Sequence, residues 1–343
     1  MLENGGPYAA RRETFMATLK DIAERLGVSI TTVSRVLNGK GSISQETKDK
    51  VFQVMKELDY HPNEMARSLV SKNSHLIGLI VPYIDHAFFS TLTAAVEAAC
   101  YKEGYKLFLC TSGGHRDRER EQFAALRSNN VAGVLVCSRD LGAVTNGWDI
   151  PQVSIERTVD GMPSVACDNY QGGVLAAQEL LANGCRAPLL FGNRIVSMYL
   201  PAYLRYQGFF ETCRKAGVTC GEYYIDAEDL FAKDLCNDLR RAKEQFPETD
   251  GVFATSDVLA ARIQSASRNM SLGWGDDLPL VGFDGVDISE YCRISTVAQP
   301  IREMGELAVK ILIDWLNGKE VPESSILPVS FIRRESSEPT QKG

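Results

Sequence analysis

Histidine is scarce in this 343-residue sequence: there are four (His61, His75, His86, His115), and none stands at a spacing that builds a site. Catalytic motifs are absent as well, with no G-x-S-x-G elbow, P-loop, G-x-G-x-x-G turn, H-E-x-x-H pair or C-x-x-C. Each of these would announce a nucleophile, a phosphate cradle, a catalytic metal or a redox couple, so an enzymatic reading has no residues to stand on. No apolar run approaches the roughly 18 residues of a membrane span, and no apolar signal segment opens the chain. A cytoplasmic protein with no membrane partner is expected. The nine cysteines (Cys100, Cys110, Cys137, Cys167, Cys185, Cys213, Cys220, Cys236, Cys292) are odd in number and set in apolar contexts such as FLC and VLVC. They read as reduced core thiols without metal spacing, so neither metal nor cofactor is expected.

What is present is ordinary in kind: 44% hydrophobic and 24% charged residues, with a length that fits a small domain plus a larger, two-lobed one. The net charge of −7 is unevenly shared. Residues 1–74 carry 11 Lys plus Arg against 9 Asp plus Glu, net +2, and the remainder carries 26 against 35, net −9. Affinity for a phosphate backbone depends on where cations stand and not on the chain total, so a nucleic-acid surface belongs to the first segment.

Residues 1–15 have Gly-Gly-Pro and no apolar periodicity, and read as a disordered extension ahead of Met16. From Thr18 to Asn38 the pattern is helical. Leu19, Ile22, Ala23 and Leu26 fall on one face, Gly27 can end the helix in a left-handed conformation, and Ser29 is placed to cap a second helix. That helix turns Val33, Val36 and Leu37 inward and Ile30, Thr31, Ser34 and Arg35 outward. This is helix-turn-helix patterning, with the second helix offered to a major groove. A third helix from about Gln45 to Leu58 completes the small core with Val51, Val54, Met55 and Leu58. His61-Pro62-Asn63 interrupts helix, and the six residues Glu64 to Leu69 are too few to stay helical alone.

The run Ala17 to Leu69, with VSRVLNG, ETKDKV and ELDYHPNEMARSL in that order, resembles the DNA-binding headpiece of the lactose-repressor/galactose-repressor family of bacterial transcription regulators. Ile30, Thr31 and Arg35 are expected to touch base edges, Arg35 pairing with a guanine. Thr18, Ser29, Ser34 and Asn38 are expected on phosphates, and Leu19 and Asn63 join the DNA-binding set. The resemblance implies that Leu69 enters the minor groove of a palindromic operator and kinks it.

After a hinge and linker at 62–74 the pattern becomes α/β. Apolar runs at 76–82, 105–112, 131–138, 151–157, 163–169, 187–193, 222–225, 250–257 and 278–285 alternate with helical stretches. Such runs predict buried parallel strands joined by crossover helices. Two similar halves resemble a periplasmic-binding-protein-type sensor, and ISTVAQP, a helix over 303–317 and LPVSFIRRESS resemble the family's closing crossover. The fold class expected is α/β: a helix-turn-helix headpiece (16–61) with a hinge helix, then a two-lobed effector domain (75–336). Its first lobe is about 75–170 plus 299–326 and its second 171–298 plus 327–336, with 337–343 a tail.

Ligands of open α/β sheets sit at the C-terminal ends of strands. Tyr83, Asp85 and the pair Phe88-Phe89 are the candidates from the first lobe, and Arg205, Asp257 and Asp284 from the second, with Gln299 on the crossover. The resemblance places an effector-binding arginine at Arg205 and ligand positions at Asp284, Phe88 and Leu230 or Phe231. Phe89 is as well suited to core as to a site, and Asp257 to bracing the following helix; Asp168 reads as a cap. Carboxylates, an arginine fork and an aromatic face suit a sugar or sugar phosphate. Two departures from the family pattern stand out. Cys185 replaces a histidine in the G-H-R commonly found there, and Glu156-Arg157 replaces an Asp-Arg pair. A secreted sugar-binding transport protein would need a signal segment and no headpiece; an enzyme fused to a regulator would need another domain. No leucine follows Arg334, so a homodimer is expected and a leucine-heptad tetramer is not.

Overall fold

The computed structural model describes residues 17–37, 41–60, 74–137, 150–159, 161–194, 200–225, 235–270, 274 and 278–338. They fall into two units that part between residues 72 and 73. In the first, helices α1 (Leu19–Leu26), α2 (Ile30–Leu37) and α3 (Gln45–Glu57) enclose Ile22, Val33 and Val51, each fully buried, with Ala23, Val36 and Val54 around them. Helices this short are marginal alone, and packing against a shared core is what holds them. Thr18 opens α1 with a capping box: Asp21 N–H donates to Thr18 Oγ1 at 3.3 Å, and Thr18 N–H donates to Asp21 Oδ2 at 2.7 Å. Gly27 ends α1 at φ 63°, and its N–H reaches back to Ala23 O and Glu24 O. Ser29 caps α2 by accepting from Thr32 N–H at 3.1 Å. Arg25 and Glu57, 3.1 Å apart, tie α1 to α3.

The second unit contains two six-stranded sheets. The first has the order β11-β5-β4-β3-β1-β2, built from β1 (Leu76–Val81), β2 (Lys106–Thr111), β3 (Gly133–Val136), β4 (Gln152–Ile155), β5 (Ser164–Cys167) and β11 (Ser324–Leu327). The second runs β12-β10-β9-β8-β6-β7, from β6 (Pro188–Asn193), β7 (Gly221–Ile225), β8 (Gly251–Ala254), β9 (Leu280–Asp284), β10 (Ser295–Ala298) and β12 (Ser330–Ile332). Pairing is parallel throughout except for β12 on β10. The crossovers are α4 (Ala87–Lys102), α5 (Arg116–Ser128), α6 (Asn169–Ala182), α7 (Pro201–Lys215), α8 (Cys236–Gln245), α9 (Asp257–Met270), α10 (Asp287–Tyr291) and α11 (Ile301–Leu316). Helices on both faces explain why β3, β4, β8 and β9 are buried at every position.

In each sheet the strand order reverses once, between β1 and β3 and between β6 and β8, which is where open α/β sheets leave a crevice. The chain passes between the sheets three times: from β5 into α6, from β10 into α11, and from β11 to β12. The run over 327–337 begins at the last residue of β11 in the first sheet and continues as β12 in the second, and Pro328, which cannot donate to a ladder, stands between them. The expected tail also begins later, because Ser337 is fully buried and donates to Glu179 Oε1 at 2.8 Å.

All nine cysteines are free and six are buried. Cys185, which departs from the histidine common in the family pattern, has a buried thiol that donates to Asp250 O at 3.3 Å. Among the described residues no helix is long and apolar enough to cross a membrane.

Candidate DNA-reading and effector sites

On α2 the side chains sort by face. Val33 and Val36 are in the core, while Ile30 stays 48% exposed and Thr31 and Arg35 are exposed with it. Isoleucine, threonine and arginine on a surface with no core to fill are the groups a groove can use: two for apolar or hydroxyl contact with base edges, one for bidentate pairing. Thr18 and Ser29 are exposed caps, Ser34 is half-buried, and Leu19 is partly buried against the core. Asn38, Asn63 and Leu69 lie outside the described residues.

In the second unit the site is assembled by a helix crossing. α6 and α7 approach so closely that a Cβ on Gly173 would stand 1.9 Å from Arg205 O, and one on Gly208 would stand 2.1 Å from Tyr170 O. Only glycines allow this contact, and it sets Arg205 beside Asn169 at the start of α6. Arg205 is 7% exposed. Its Nε and Nη2 donate to Asn169 Oδ1 at 3.3 and 2.8 Å, its Nη1 donates to Thr255 O at 2.6 Å, and its guanidinium lies 3.3 Å above the Phe283 ring.

Asp284 ends β9 at φ 117°, a backbone that non-glycine residues avoid, and accepts at Oδ1 from Gln299 Nε2 at 2.8 Å. Glu156, just past β4, is also left-handed at φ 71°. Its carboxyl lies near enough to Arg205 and Asp284 to feel both charges, so the C-terminal ends of the two sheets face each other here. Burial pushes Glu156 up to about 7, with the attraction of Arg205 opposing it. Burial likewise raises Asp284, again against Arg205.

The model for bacterial regulatory proteins of the lacI family matches residues 18–63, and that for a periplasmic binding protein-like domain matches 177–337. The sucrose operon repressor of Streptococcus mutans serotype c (strain ATCC 700610 / UA159) is 34% identical over 327 residues, covering 94% of this chain and 99% of the relative. The chain belongs to the lacI family. Two solved structures are also similar. The lac repressor dimer bound to operator and the anti-inducer ONPF is 25% identical at a TM-score of 0.78, covering 94% of this chain and 99% of that one. A periplasmic binding protein/LacI transcriptional regulator from Alkaliphilus metalliredigens QYMF complexed with D-xylulofuranose is 28% identical at a TM-score of 0.69, covering 76% and 98%.

In this lacI-family chain the expected effector residues divide. Arg205, Asp284 and Gln299 come together at one place. Asp257 is nearby but fully buried, and its carboxylate is already engaged: Oδ1 accepts from Thr296 Oγ1 at 2.6 Å, and Oδ2 accepts from the N–H groups of Gly285 and Val286 at 2.7 and 2.9 Å. It braces, but the turn after β9 and not its own helix. Burial and then the Asp284 charge raise it.

The two phenylalanines turn different ways. Phe88 is buried in the core and Phe89 is the half-exposed member, the rings meeting edge to face at 5.1 Å. Tyr83, half-buried, and Asp85, exposed, stand in the loop leaving β1. Leu230 and Phe231 lie outside the described residues. Asp168 is a cap, accepting from Gln171 N–H at 2.9 Å. Asn169, Thr255 and Phe283, which hold the arginine, were missed. The available signal was glycine: DNYQGG and RYQG each carry one where the two helices cross.

Proposed function

We propose that this lacI-family chain is a homodimeric repressor that reads a palindromic operator with α2 and changes its affinity for that operator when a sugar binds at the facing sheet ends. The observation that carries the reading is the pairing of an outward Ile30-Thr31-Arg35 surface on α2 with a buried Arg205-Asp284-Gln299 cluster elsewhere in the chain. One can meet base edges and the other can meet hydroxyls, and a regulator needs both. The sucrose repressor relative and the solved structures holding operator or a bound sugar-like ligand support this reading. A two-fold dimer on a palindrome follows from matching symmetry.

In this scheme Thr18, Ser29, Ser34 and Asn38 hold phosphates while Ile30, Thr31 and Arg35 choose sequence. Leu69, with Asn63 in the same hinge, enters the minor groove of the operator. The test begins with selecting a bound duplex from a randomised pool and measuring its gel shift with and without each member of a carbohydrate panel. A palindrome whose affinity changes with one sugar is the expected result; a non-palindromic duplex, or one indifferent to every carbohydrate, overturns the reading. Leu69→Ala is expected to lose specific affinity and bending while nonspecific affinity holds, and unchanged bending would return Leu69 to a linker role.

A further inference from the structure

We infer that Cys213 and Cys220 are a modification site, two thiols that close to a reversible disulfide when the chain meets a hydroperoxide. The turn that ends α7 brings them together. Val218 N–H donates to Cys213 O at 3.0 Å and Gly217 N–H to Arg214 O at 3.0 Å, with Gly217 at φ 70°. This pair of bonds reverses the chain at a left-handed glycine and lays the next residue against the last turn of the helix. Val218 is accordingly buried in the same apolar cluster as Cys213. The chain then runs into β7 and its burial alternates as in a strand: Val218 inward, Thr219 exposed, Cys220 inward again. Cys220 packs against the cluster, and its thiol shares a hydrogen bond with that of Cys213. Only six residues lie between the two, in a turn already ordered, so a bond between the sulfurs closes a short ring at little further cost in chain entropy.

The pair differs in chemistry from the other buried thiols. Burial pushes Cys100 and Cys185 up to about 12 and raises Cys110, Cys137 and Cys167 as well, which keeps all five protonated and inert. Cys213 is fully buried too, yet its hydrogen bond with Cys220 draws it down in spite of that burial. The same bond holds the remaining proton and raises Cys220. One proton between two like sulfurs can sit on either, and Cys220, which is half-buried, is the sulfur that reaches the surface. An eased thiolate, a route to it and a second sulfur in contact are what a redox-active pair requires.

The Cys220 thiolate attacks one oxygen of the hydroperoxide and the O–O bond breaks. With hydrogen peroxide, the departing hydroxide takes up the proton the pair released, leaving water and a sulfenic acid on Cys220. The Cys213 sulfur then attacks the sulfenic sulfur, the S–O bond breaks, and the hydroxyl leaves with the Cys213 proton as a second water. The pair has given up two electrons and two protons, and the peroxide has been reduced to water. Closure ties the end of α7 to the start of β7, and Arg205 lies about two turns earlier on the same helix.

The test uses the full chain, reduced, freed of reductant, exposed to hydrogen peroxide, quenched with iodoacetamide in denaturant and digested without reduction. Trypsin cuts after Arg205, Arg214, Lys215 and Lys233, so the disulfide leaves peptides 206–214 and 216–233 joined. The joined pair is expected as the first cysteine product and to separate with dithiothreitol, while Cys100, Cys110, Cys137, Cys167 and Cys185 are recovered alkylated. Cys213→Ala removes the sulfur that resolves the sulfenic acid, so Cys220 is expected to go on to the sulfinic acid, which dithiothreitol does not reverse. In Cys220→Ser, Cys213 is expected to stay reduced, buried and without its partner. The deciding observation is made on the parent chain and so survives misfolding of either variant. Recovery of both residues alkylated, sulfinic acid on Cys220 of the parent without the joined peptides, or a disulfide from either residue to another cysteine overturns the inference.

Discussion

The headpiece and the effector cleft solve opposite problems with the same kinds of side chain. Arg35 on α2 is exposed and meets no core, whereas Arg205 on α7 is 7% exposed and held by Asn169, Thr255 and the Phe283 ring. An arginine for reading DNA has to be free to reach a base edge, and the scaffold beneath it can be small. The cleft arginine has to be fixed before its ligand arrives, and desolvation makes every unmet neighbour costly. Function in the headpiece is thus nearly separable from stability, and in the cleft the two are bound together.

Arg205→Ala is the largest test of that difference. Removing the cation leaves Glu156 and Asp284 buried beside each other without the charge that eases them, and leaves Asn169 Oδ1 without donors. The second unit is expected to lose about 3–5 kcal/mol, read by calorimetry at pH 8. The loss should shrink toward pH 5, where the carboxyls accept protons. A melting curve unchanged at pH 8 would break the comparison.

Arg35→Ala is the counterpart in the headpiece. Its melting should stay within about 0.5 kcal/mol of the parent, while discrimination at one operator base pair falls by about 1–3 kcal/mol. Binding assays on single-base operator variants separate the cases, since uniform weakening across all variants would make Arg35 a phosphate contact.

The same difference decided what could be read from the residues alone. The headpiece occupies one continuous stretch, so apolar spacing, Gly27 and Ser29 laid out its helices and outward face together. The cleft is built from residues separated by more than a hundred positions, and its positions could be named only where a strand end or a resemblance pointed to them. Arg205, Asp284 and Gln299 emerged that way. Asp257 did not sort correctly, because a carboxylate at a strand end looks the same whether it meets a ligand or, as here, the N–H groups of Gly285 and Val286. Phe88 and Phe89 are adjacent, and which ring turns inward depends on how α4 is rotated against β1, a fact of tertiary packing. Asn169 stood next to Asp168 and was passed over, since its role appears only once α6 and α7 cross.

Thr18→Ala sharpens the headpiece side at a smaller scale. Thr18 is exposed, yet its hydroxyl completes the capping box of α1. The substitution is expected to cost the headpiece about 1 kcal/mol in a thermal melt and to weaken operator binding evenly across base variants, because a cap and a phosphate contact carry no sequence information. Base-dependent weakening would instead give Thr18 a reading role.

Glu156→Gln bears on the cleft directly. Burial lifts the Glu156 carboxyl from 4.5 to about 7, so the folded protein holds this proton over a range where the unfolded chain has released it. For a group raised in this way, the stabilising contribution is complete below the unfolded value and is lost as pH rises through the folded one. Between about pH 4.5 and 7 the parent's stability should therefore fall with pH relative to the glutamine variant, by at most one proton's worth of slope. Carboxylates such as Asp21 and Glu46, lowered by their hydrogen bonds to Thr18 and Lys50, contribute with the opposite sign but are common to both proteins and cancel in the difference. Denaturant melts of the two proteins at half-unit pH intervals measure it. A sugar that donates to Glu156 should bind the parent more tightly at pH 8 than at pH 6, because protonation fills the acceptor the sugar needs, and the variant should show less of that trend. Parallel stability curves for the two proteins would mean that Glu156 titrates as it would in water, and that the facing sheet ends are wetter than the burial of Asp284 and Gln299 implies.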